Sequence, residues 1–313
     1  MPLVSMKNLL ENARKNAYAV GYFEAFNMDA MLGALDAAES KNSPVVIGFG
    51  GQFLGSSLRD KIEDIYIYGA LAKKAAERAK VPVATLLNES GSEDMIYQGM
   101  HAGFGAVMYQ KSGEPFEETL CVTRQICHVA HALGVDVESE IGELPCAELS
   151  DGSRTAGAKT DVKQARYFVE QTKIDALAVA IGNVHLLEDG KADIDYGLLK
   201  ILSEEIPVPL VLHGGTGLSR EDFFKVISLG VSKINIGTAL KRAYIEAVGK
   251  FYSGSKGDIS RTNPHVTIGW GGENDMISCG RAAIAKKIGE YMDIFGSSGK
   301  AAHFGDLRWG GNA

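Results

Sequence analysis

The sequence predicts a (β/α)8 TIM barrel. Three observations carry that expectation: eight short apolar runs of strand length, helical patterns of about 10 to 20 residues between them, and a length of 313 residues that suits one closed barrel. Alternating β and α units imply right-handed crossovers and a parallel sheet, with a doubly wound open sheet as the competing arrangement.

In chain order, residues 5–15 read as a short amphipathic helix and residues 18–23 as the first buried strand, which ends at Glu24-Ala25-Phe26-Asn27. A helix over 29–40 leads to a second strand over 43–49, with Pro44 near its start, where a missing N–H does least harm. Gly50-Gly51 follows as a loop. The segment Gly48-x-Gly50-x-x-Phe53 lacks the last glycine of the dinucleotide fingerprint, so no Rossmann cofactor is expected. Helical pattern covers 57–80, and a third strand over 81–87 stops at Asn88-Glu89-Ser90-Gly91. Five more strands are expected over 104–109, 135–140, 174–180, 208–213 and 232–236. Residues 143–159, rich in Gly, Ser, Asp and Ala, read as a long mobile loop of the active-site lid kind. Residues 275–295 read as an amphipathic helix outside the barrel, so that residues 1–313 make one barrel domain with a C-terminal helical extension.

Hydrophobic residues at 45% and charged residues at 23% are ordinary for a folded globular enzyme. The formal charge of −7, with Lys and Arg scattered along the chain, gives no electrostatic support for nucleic-acid binding. No apolar run approaches the roughly 20 residues of a membrane span, and the first 15 residues lack a basic start followed by an apolar block, so a cytoplasmic location is expected. Cys121, Cys127, Cys146 and Cys279 are few and widely spaced, as free thiols in a reducing compartment would be. Cys127, His128 and His131 share one helical pattern, but no second ligand pair at zinc-site spacing accompanies them, and a partly solvated helix is the expected reading.

In a barrel, chemistry collects on the C-terminal ends of the strands. The residues expected there include Glu24, Asn88, Glu89, Glu138, Glu140, His185, His213, Asn235 and Thr238, a set richer in carboxylates and imidazoles than a packed core. His185 and His213 follow the sixth and seventh strands and are therefore neighbours on the rim. Two histidines and a carboxylate, with an open position, make a catalytic divalent-metal site; Glu89 is the expected third ligand and Glu138 its competitor. His213 also opens the turn Gly214-Gly215-Thr216-Gly217. Glycines there let the backbone approach an anion, and the helix beginning near Ser219 is expected to point unpaired N–H groups at the same spot. Asn235, Gly237 and Thr238 supply an amide, an open backbone and a hydroxyl on the next strand tip. Together these two tips read as a sugar-phosphate pocket.

The motifs Tyr18-Ala19-Val20-Gly21, Val137-Glu138-Ser139-Glu140-Ile141-Gly142, His213-Gly214-Gly215-Thr216-Gly217, Lys233-Ile234-Asn235-Ile236-Gly237-Thr238 and Phe295-Gly296-Ser297-Ser298-Gly299-Lys300 resemble those of the class II fructose-bisphosphate aldolases, including the tagatose-bisphosphate members. The resemblance covers nearly the whole chain. It implies a metal-dependent lyase on a phosphorylated ketose or related sugar acid, working through a metal-stabilised enediolate. It places metal-binding histidines on His185 and His213, with Zn²⁺ or Mn²⁺ as the ion, and the phosphate-holding groups on residues 214–217, Asn235 and Thr238. It also implies a homo-oligomer, dimer or tetramer.

The third strand departs from the pattern. The family ends it His-Leu-Asp-His-Gly, with the Asp as acid/base and the second His on the metal, whereas this chain reads Leu86-Leu87-Asn88-Glu89-Ser90. An amide has no useful pKa near neutrality, so Asn88 can hydrogen-bond a hydroxyl but cannot shuttle its proton. Glu24 replaces an Asn, Gly50 a substrate-contacting Ser, and Leu186 the Gly that follows the metal His. Glu24, Glu89 or the lid residue Glu148 is then expected to supply the proton. A sugar-phosphate isomerase or epimerase, or a non-catalytic sugar-phosphate sensor, would use the same pocket.

Overall fold

Eight parallel strands close on themselves in sequence order, with β1 pairing both β2 and β8. They are β1 (Val20–Ala25), β2 (Val45–Gly50), β3 (Val83–Ser90), β4 (Ala106–Tyr109), β5 (Asp136–Ile141), β6 (Ala176–Val179), β7 (Leu210–Leu212) and β8 (Val231–Ile236). The computed structural model describes residues 2–142, 157–184, 192–254, 263–273 and 275–304. The expected lid, with Glu148, and the expected metal ligand His185 lie outside the described residues, as does Cys146.

The helices are α1 (Met6–Lys15), α2 (Met28–Lys41), α3 (Gly51–Leu54), α4 (Ile65–Arg78), α5 (Glu93–Ala102), α6 (Phe116–Ala132), α7 (Val162–Thr172), α8 (Tyr196–Glu205), α9 (Arg220–Ser228), α10 (Thr238–Gly254), α11 (Pro264–Thr267) and α12 (Met276–Phe295). Three expectations need correction. The Gly50-Gly51 segment is not a loop, because residues 51–54 make one helical turn packed under the end of β3. The helix expected over 57–80 starts only at Ile65, where the Asp64 carboxylate accepts from the Tyr66 N–H and caps it. The third strand does not stop at Leu87 but continues through Ser90. Among the described residues no helix is long and apolar enough to cross a membrane.

Strand alternation sorts the core into two apolar clusters. Outward-facing residues such as Phe23, Ile47, Leu87, Val107 and Leu212 pack beneath the surrounding helices. Inward-facing Val20, Val46, Leu86, Met108 and Val211 fill the lower barrel, which α1 closes from below with Met6, Leu9 and Leu10. Helix α1 is capped by Ser5, whose hydroxyl accepts from the Asn8 N–H and donates to Asp136, and it is tied to the barrel floor by Lys7 and Asp175 at 3.1 Å. Helix α12 lies chiefly against α2 and α10; Phe295 at its end stacks on Phe23 of β1 and meets Phe223 of α9 edge-on. Cys127 is buried in α6, and His131 turns from Cys127 and His128 to contact Asp175 at 2.9 Å. The lower barrel is therefore apolar up to the level of Lys233 and Glu138, which stand in register with Val20, Val211 and Met108.

Candidate functional site

Above the apolar layers the inward positions become Glu24, Gly50, Asn88, Glu138, Glu140, His213, Lys233 and Asn235, all buried. Asn88 and Glu89 are consecutive, so a regular strand would send their side chains to opposite faces. Two irregularities prevent this. The pairing of β3 with β4 shifts register between Leu87 and Ser90, and Glu89 adopts a left-handed backbone with φ of 46°. The bulge turns Glu89 inward as well, a local cost of order 1 kcal/mol that the surrounding barrel sustains. Gln52, on the helical turn α3, donates from Nε2 to Glu89 Oε2 and holds the carboxylate in place.

His213 is the hub. Its Nε2 lies 3.0 Å from Glu138 Oε1, while its Nδ1 lies 3.2 Å from Glu89 Oε1 and 3.7 Å from Glu140 Oε2. Burial alone would strip the proton from this ring, but the carboxylates around it win and push its pKa up to about 10. Asn183 holds the backbone from behind: its Nδ2 donates to His213 O at 2.9 Å, and its Oδ1 accepts from the Ile181 N–H at 2.8 Å.

Lys233 is wholly buried and directs its ammonium at Glu138 Oε1 and Oε2, at 3.0 and 2.8 Å, and at Asn235 Oδ1 at 2.7 Å. Burial lowers the Lys233 pKa in spite of Glu138. Burial works the other way on Glu138, but Lys233 and His213 overcome it and hold this carboxyl below its usual range. Glu138 is thus engaged on the Nε2 side of His213, and Glu140, not Glu138, shares the Nδ1 side with Glu89. Gln110 donates to Glu140 Oε2 at 3.0 Å.

Among the described residues no three His, Cys, Asp or Glu side chains form a finished metal cage. The donor set nevertheless suits a divalent cation on two counts. Donors about 2.1 Å from one ion, set at octahedral or tetrahedral angles, lie roughly 3.0–3.4 Å apart. The Nδ1 to Glu89 distance of 3.2 Å falls in that range, and the 3.7 Å to Glu140 is a little beyond it. The charges agree: Glu24, Glu89, Glu138 and Glu140 gather around His213, and among the described residues Lys233 pairs with Glu138 and Lys241 with Glu24.

The turn after β7 is a 3₁₀ turn over Gly215–Gly217, entered through Gly214 with φ of 67°. A Cβ at Gly215 would stand 2.8 Å from Ile234 and Ile236, so the turn packs directly on β8. The start of α9 is partly engaged within the protein. Ser219 and Asp222 form a capping box that consumes the N–H groups of both residues and adds a carboxylate there. A second helix start lies at the tip of β8, where α10 begins at Thr238 directly after Gly237. Asn235 Nδ2, Asn88 Oδ1 and the Tyr22 hydroxyl are buried with no hydrogen-bond partner among the described residues.

Glu24 and Gly50 prove to be linked. A Cβ at Gly50 would meet Glu24 Oε1 at 2.8 Å, and a Cβ at Gly237 would meet Glu24 Oε2 at 3.1 Å. The longer acid occupies room that these glycines vacate. Its carboxylate pairs with Lys241 Nζ at 3.2 Å, and burial, helped by Glu89, raises its pKa against the pull of Lys241. A cleft of about 150 Å³ opens beside it, lined by Gly50, Phe53, Arg59 and Lys241.

The structure thus brings Glu24, Asn88, Glu89, Glu138, His213 and Asn235 to one barrel mouth, with residues 214–217, Gly237 and Thr238 on its rim. It adds Lys233, Asn183, Gln52, Lys241 and Tyr22. Of these, Lys233 was within reach of the sequence, since it lies two positions before Asn235 and so faces the same way.

Residues 4–300 match the family described as fructose-bisphosphate aldolase class-II. The chain is 34% identical over 311 residues to a fructose-bisphosphate aldolase from Geobacillus stearothermophilus, covering 96% of this chain and 100% of that one. It is 32% identical over 290 residues to the uncharacterized protein YdjI of Escherichia coli K12, covering 93% of this chain and 96% of that one. The crystal structure of the YdjI aldolase superposes with a TM-score of 0.78 at 30% identity, over 96% of this chain and 99% of that one. A putative fructose-1,6-biphosphate aldolase from Coccidioides immitis gives a TM-score of 0.77 at 26% identity, over 95% and 98% of the two chains.

Proposed function

The chain belongs to the class II fructose-bisphosphate aldolase family, and from that premise we propose that it is a metal-dependent lyase that cleaves a phosphorylated ketose other than fructose 1,6-bisphosphate. The observation that carries this reading is the convergence of Glu89 and Glu140 on His213 Nδ1 at near-coordination spacing. His213, Glu89 and Glu140 would hold the cation, Zn²⁺ or Mn²⁺, with His185 as a further ligand. When bound, the ion polarises the substrate carbonyl and stabilises the charge left by C–C cleavage.

The chain's own residues do the rest. Glu138, locked by Lys233, accepts from His213 Nε2 and fixes the ring so that Nδ1 faces the ion. The glycine turn over residues 214–217 and Thr238 at the start of α10 hold the substrate phosphate through N–H groups and a hydroxyl. Asn235 Nδ2 donates to a substrate oxygen, and Asn88 Oδ1 accepts from a substrate hydroxyl, since each lacks a partner within the protein's described residues. Glu24 takes the hydroxyl proton as the C–C bond breaks. Burial has already raised its pKa, which makes it a better proton acceptor than an ordinary surface carboxylate. Glu148, outside the described residues, is the second candidate for that proton. A screen of phosphorylated ketoses with Mn²⁺, Zn²⁺ or Co²⁺, with aldehyde release as the readout, tests the reading. Ligand binding without turnover across such a panel would replace it with a sensor.

A further inference from the structure

Tyr22 sits on the inward face of β1 between Val20 and Glu24, and its Cα is in register with Asn235 of β8. It is 1% exposed, and its hydroxyl has no hydrogen-bond partner among the described residues. Two other buried tyrosines are paired: Tyr18 donates to Asn12 Oδ1 at 2.9 Å, and Tyr109 to the Glu114 carboxylate at 2.9 and 3.0 Å. An unpaired buried hydroxyl opposes folding, and phenylalanine would fill the same space without that penalty. Its ring lies under Lys233, whose Nζ is 5.1 Å from the ring centroid, and Lys233 in turn holds Glu138 and Asn235. The phenol therefore lies against the buried polar cluster, on the strand next to Asn235, whose Nδ2 likewise lacks a partner among the described residues. Burial first, then Glu24, Glu89 and Glu138, push its ionisation well above the ordinary value, so the phenol is a donor and not a base.

We propose that Tyr22 is a catalytic residue of this site, its phenol O–H donating a hydrogen bond to the substrate ketone oxygen as that oxygen gains negative charge. This rests on the aldolase reading above. In cleavage, the hydroxyl proton goes to Glu24, the C–C electron pair moves into the carbonyl-bearing fragment, and the charge settles on the ketone oxygen. Tyr22 keeps its proton and shares it. The same oxygen gains charge when a C–H proton is removed from the ketone fragment alone, so the effect is visible without the second substrate.

The probe is dihydroxyacetone phosphate, the fragment that C3–C4 cleavage releases from any 1-phosphorylated 2-ketose. Wild type and Tyr22→Phe, loaded with Mn²⁺, Zn²⁺ or Co²⁺ to equal content, are compared for exchange of its hydroxymethyl protons with deuterated water by NMR, and for urea unfolding. The proposal expects exchange to fall about 10²–10³-fold in Tyr22→Phe, with metal content and inorganic phosphate affinity unchanged, and the unfolding midpoint to rise. Exchange at the wild-type rate overturns it. A lowered midpoint with exchange retained makes the hydroxyl structural and also overturns it. Absence of exchange in the wild type itself, with every metal, removes cleavage of a 1-phosphorylated 2-ketose and this role together.

Discussion

Replacing Lys233 by Met should unbalance the site more than any other single change inside the barrel. Its ammonium makes three bonds, at 3.0, 2.8 and 2.7 Å, and neither it nor Glu138 is exposed at all. Removing one partner of a buried pair leaves the other charge uncompensated and costs about 3–5 kcal/mol. That is a large share of the roughly 5–15 kcal/mol by which domains are typically stable. Glu138→Gln should cost a similar amount, because Lys233 would then face a neutral amide where it now has a carboxylate. The double variant Lys233→Met, Glu138→Gln removes both charges, so its loss should fall short of the sum of the singles by about 2–4 kcal/mol. Urea unfolding of the metal-free protein, with equal m-values across the four forms, gives these numbers. A Lys233→Met loss under about 1 kcal/mol, or additive singles, would refute the claim that this pair is dry and mutually dependent. The double variant should still bind Mn²⁺ or Zn²⁺ about 10–100-fold more weakly, because His213 has lost the carboxylate that orients it.

Three further outcomes follow from the same geometry. Glu89→Gln and Glu140→Gln should each weaken divalent-cation binding at least about tenfold by titration calorimetry, and an unchanged affinity in either would remove that residue from the ligand set. Thr238→Val should raise KM for a phosphorylated substrate, and the inhibition constant of inorganic phosphate, by roughly 5–30-fold, the worth of one hydrogen bond to a charged group; equal turnover of the unphosphorylated sugar would count against a phosphate site. Fructose 1,6-bisphosphate should be cleaved about 10²–10⁴-fold more slowly than by an enzyme with a carboxylate at this position, because the Asn88 amide cannot take the hydroxyl proton during cleavage and Glu24 stands at a different strand tip, and steady-state turnover near roughly 10 s⁻¹ would show that another residue takes it from this substrate. Asn88→Asp with Glu89→His should recover part of that activity, since histidine tolerates the left-handed backbone at position 89 better than glutamate does.

The fold was legible because it rests on repetition. Eight apolar runs bounded by helical patterns leave little freedom once crossovers are right-handed, and the closed order β1 to β8 follows. Element ends were less legible, because they depend on local caps. Asp64 delays α4 by about two turns relative to the helical pattern, and the bulge at Glu89 carries β3 past the polar residues that looked like its stop. The site was readable wherever alternation alone decides orientation, as for His213, Asn235 and Glu138. It was not readable where an irregular backbone decides. Nothing in Asn88-Glu89 announces that both side chains face inward, whereas Ser219-Arg220-Glu221-Asp222 before Phe223 has the spacing of a capping box, a signal in the sequence for the cap that the structure holds.

Tyr22 was hidden for a different reason. In a strand of Val, Gly, Tyr and Phe an aromatic ring reads as core, and its ring is core; only the hydroxyl at its end belongs to the mouth. Glu24 and Gly50 show a related limit. Read singly, each is a loss: an amide exchanged for a charge, and a hydroxyl exchanged for nothing. In the structure, a Cβ at position 50 would stand 2.8 Å from Glu24 Oε1, so the larger acid requires the glycine. The new carboxylate in turn requires a cation, which Lys241 supplies from the first turn of α10 at 3.2 Å. Gly50→Ser alone should therefore displace Glu24 and break its contact with Lys241, lowering the unfolding midpoint in urea. Adding Glu24→Asn shortens the side chain that the new Cβ would strike, so the double variant should be more stable than Gly50→Ser by itself. A double variant whose loss equals the sum of the two singles would show that the positions are independent. The rebuilt end of this pocket behaves as one substitution spread over three strand tips and a helix.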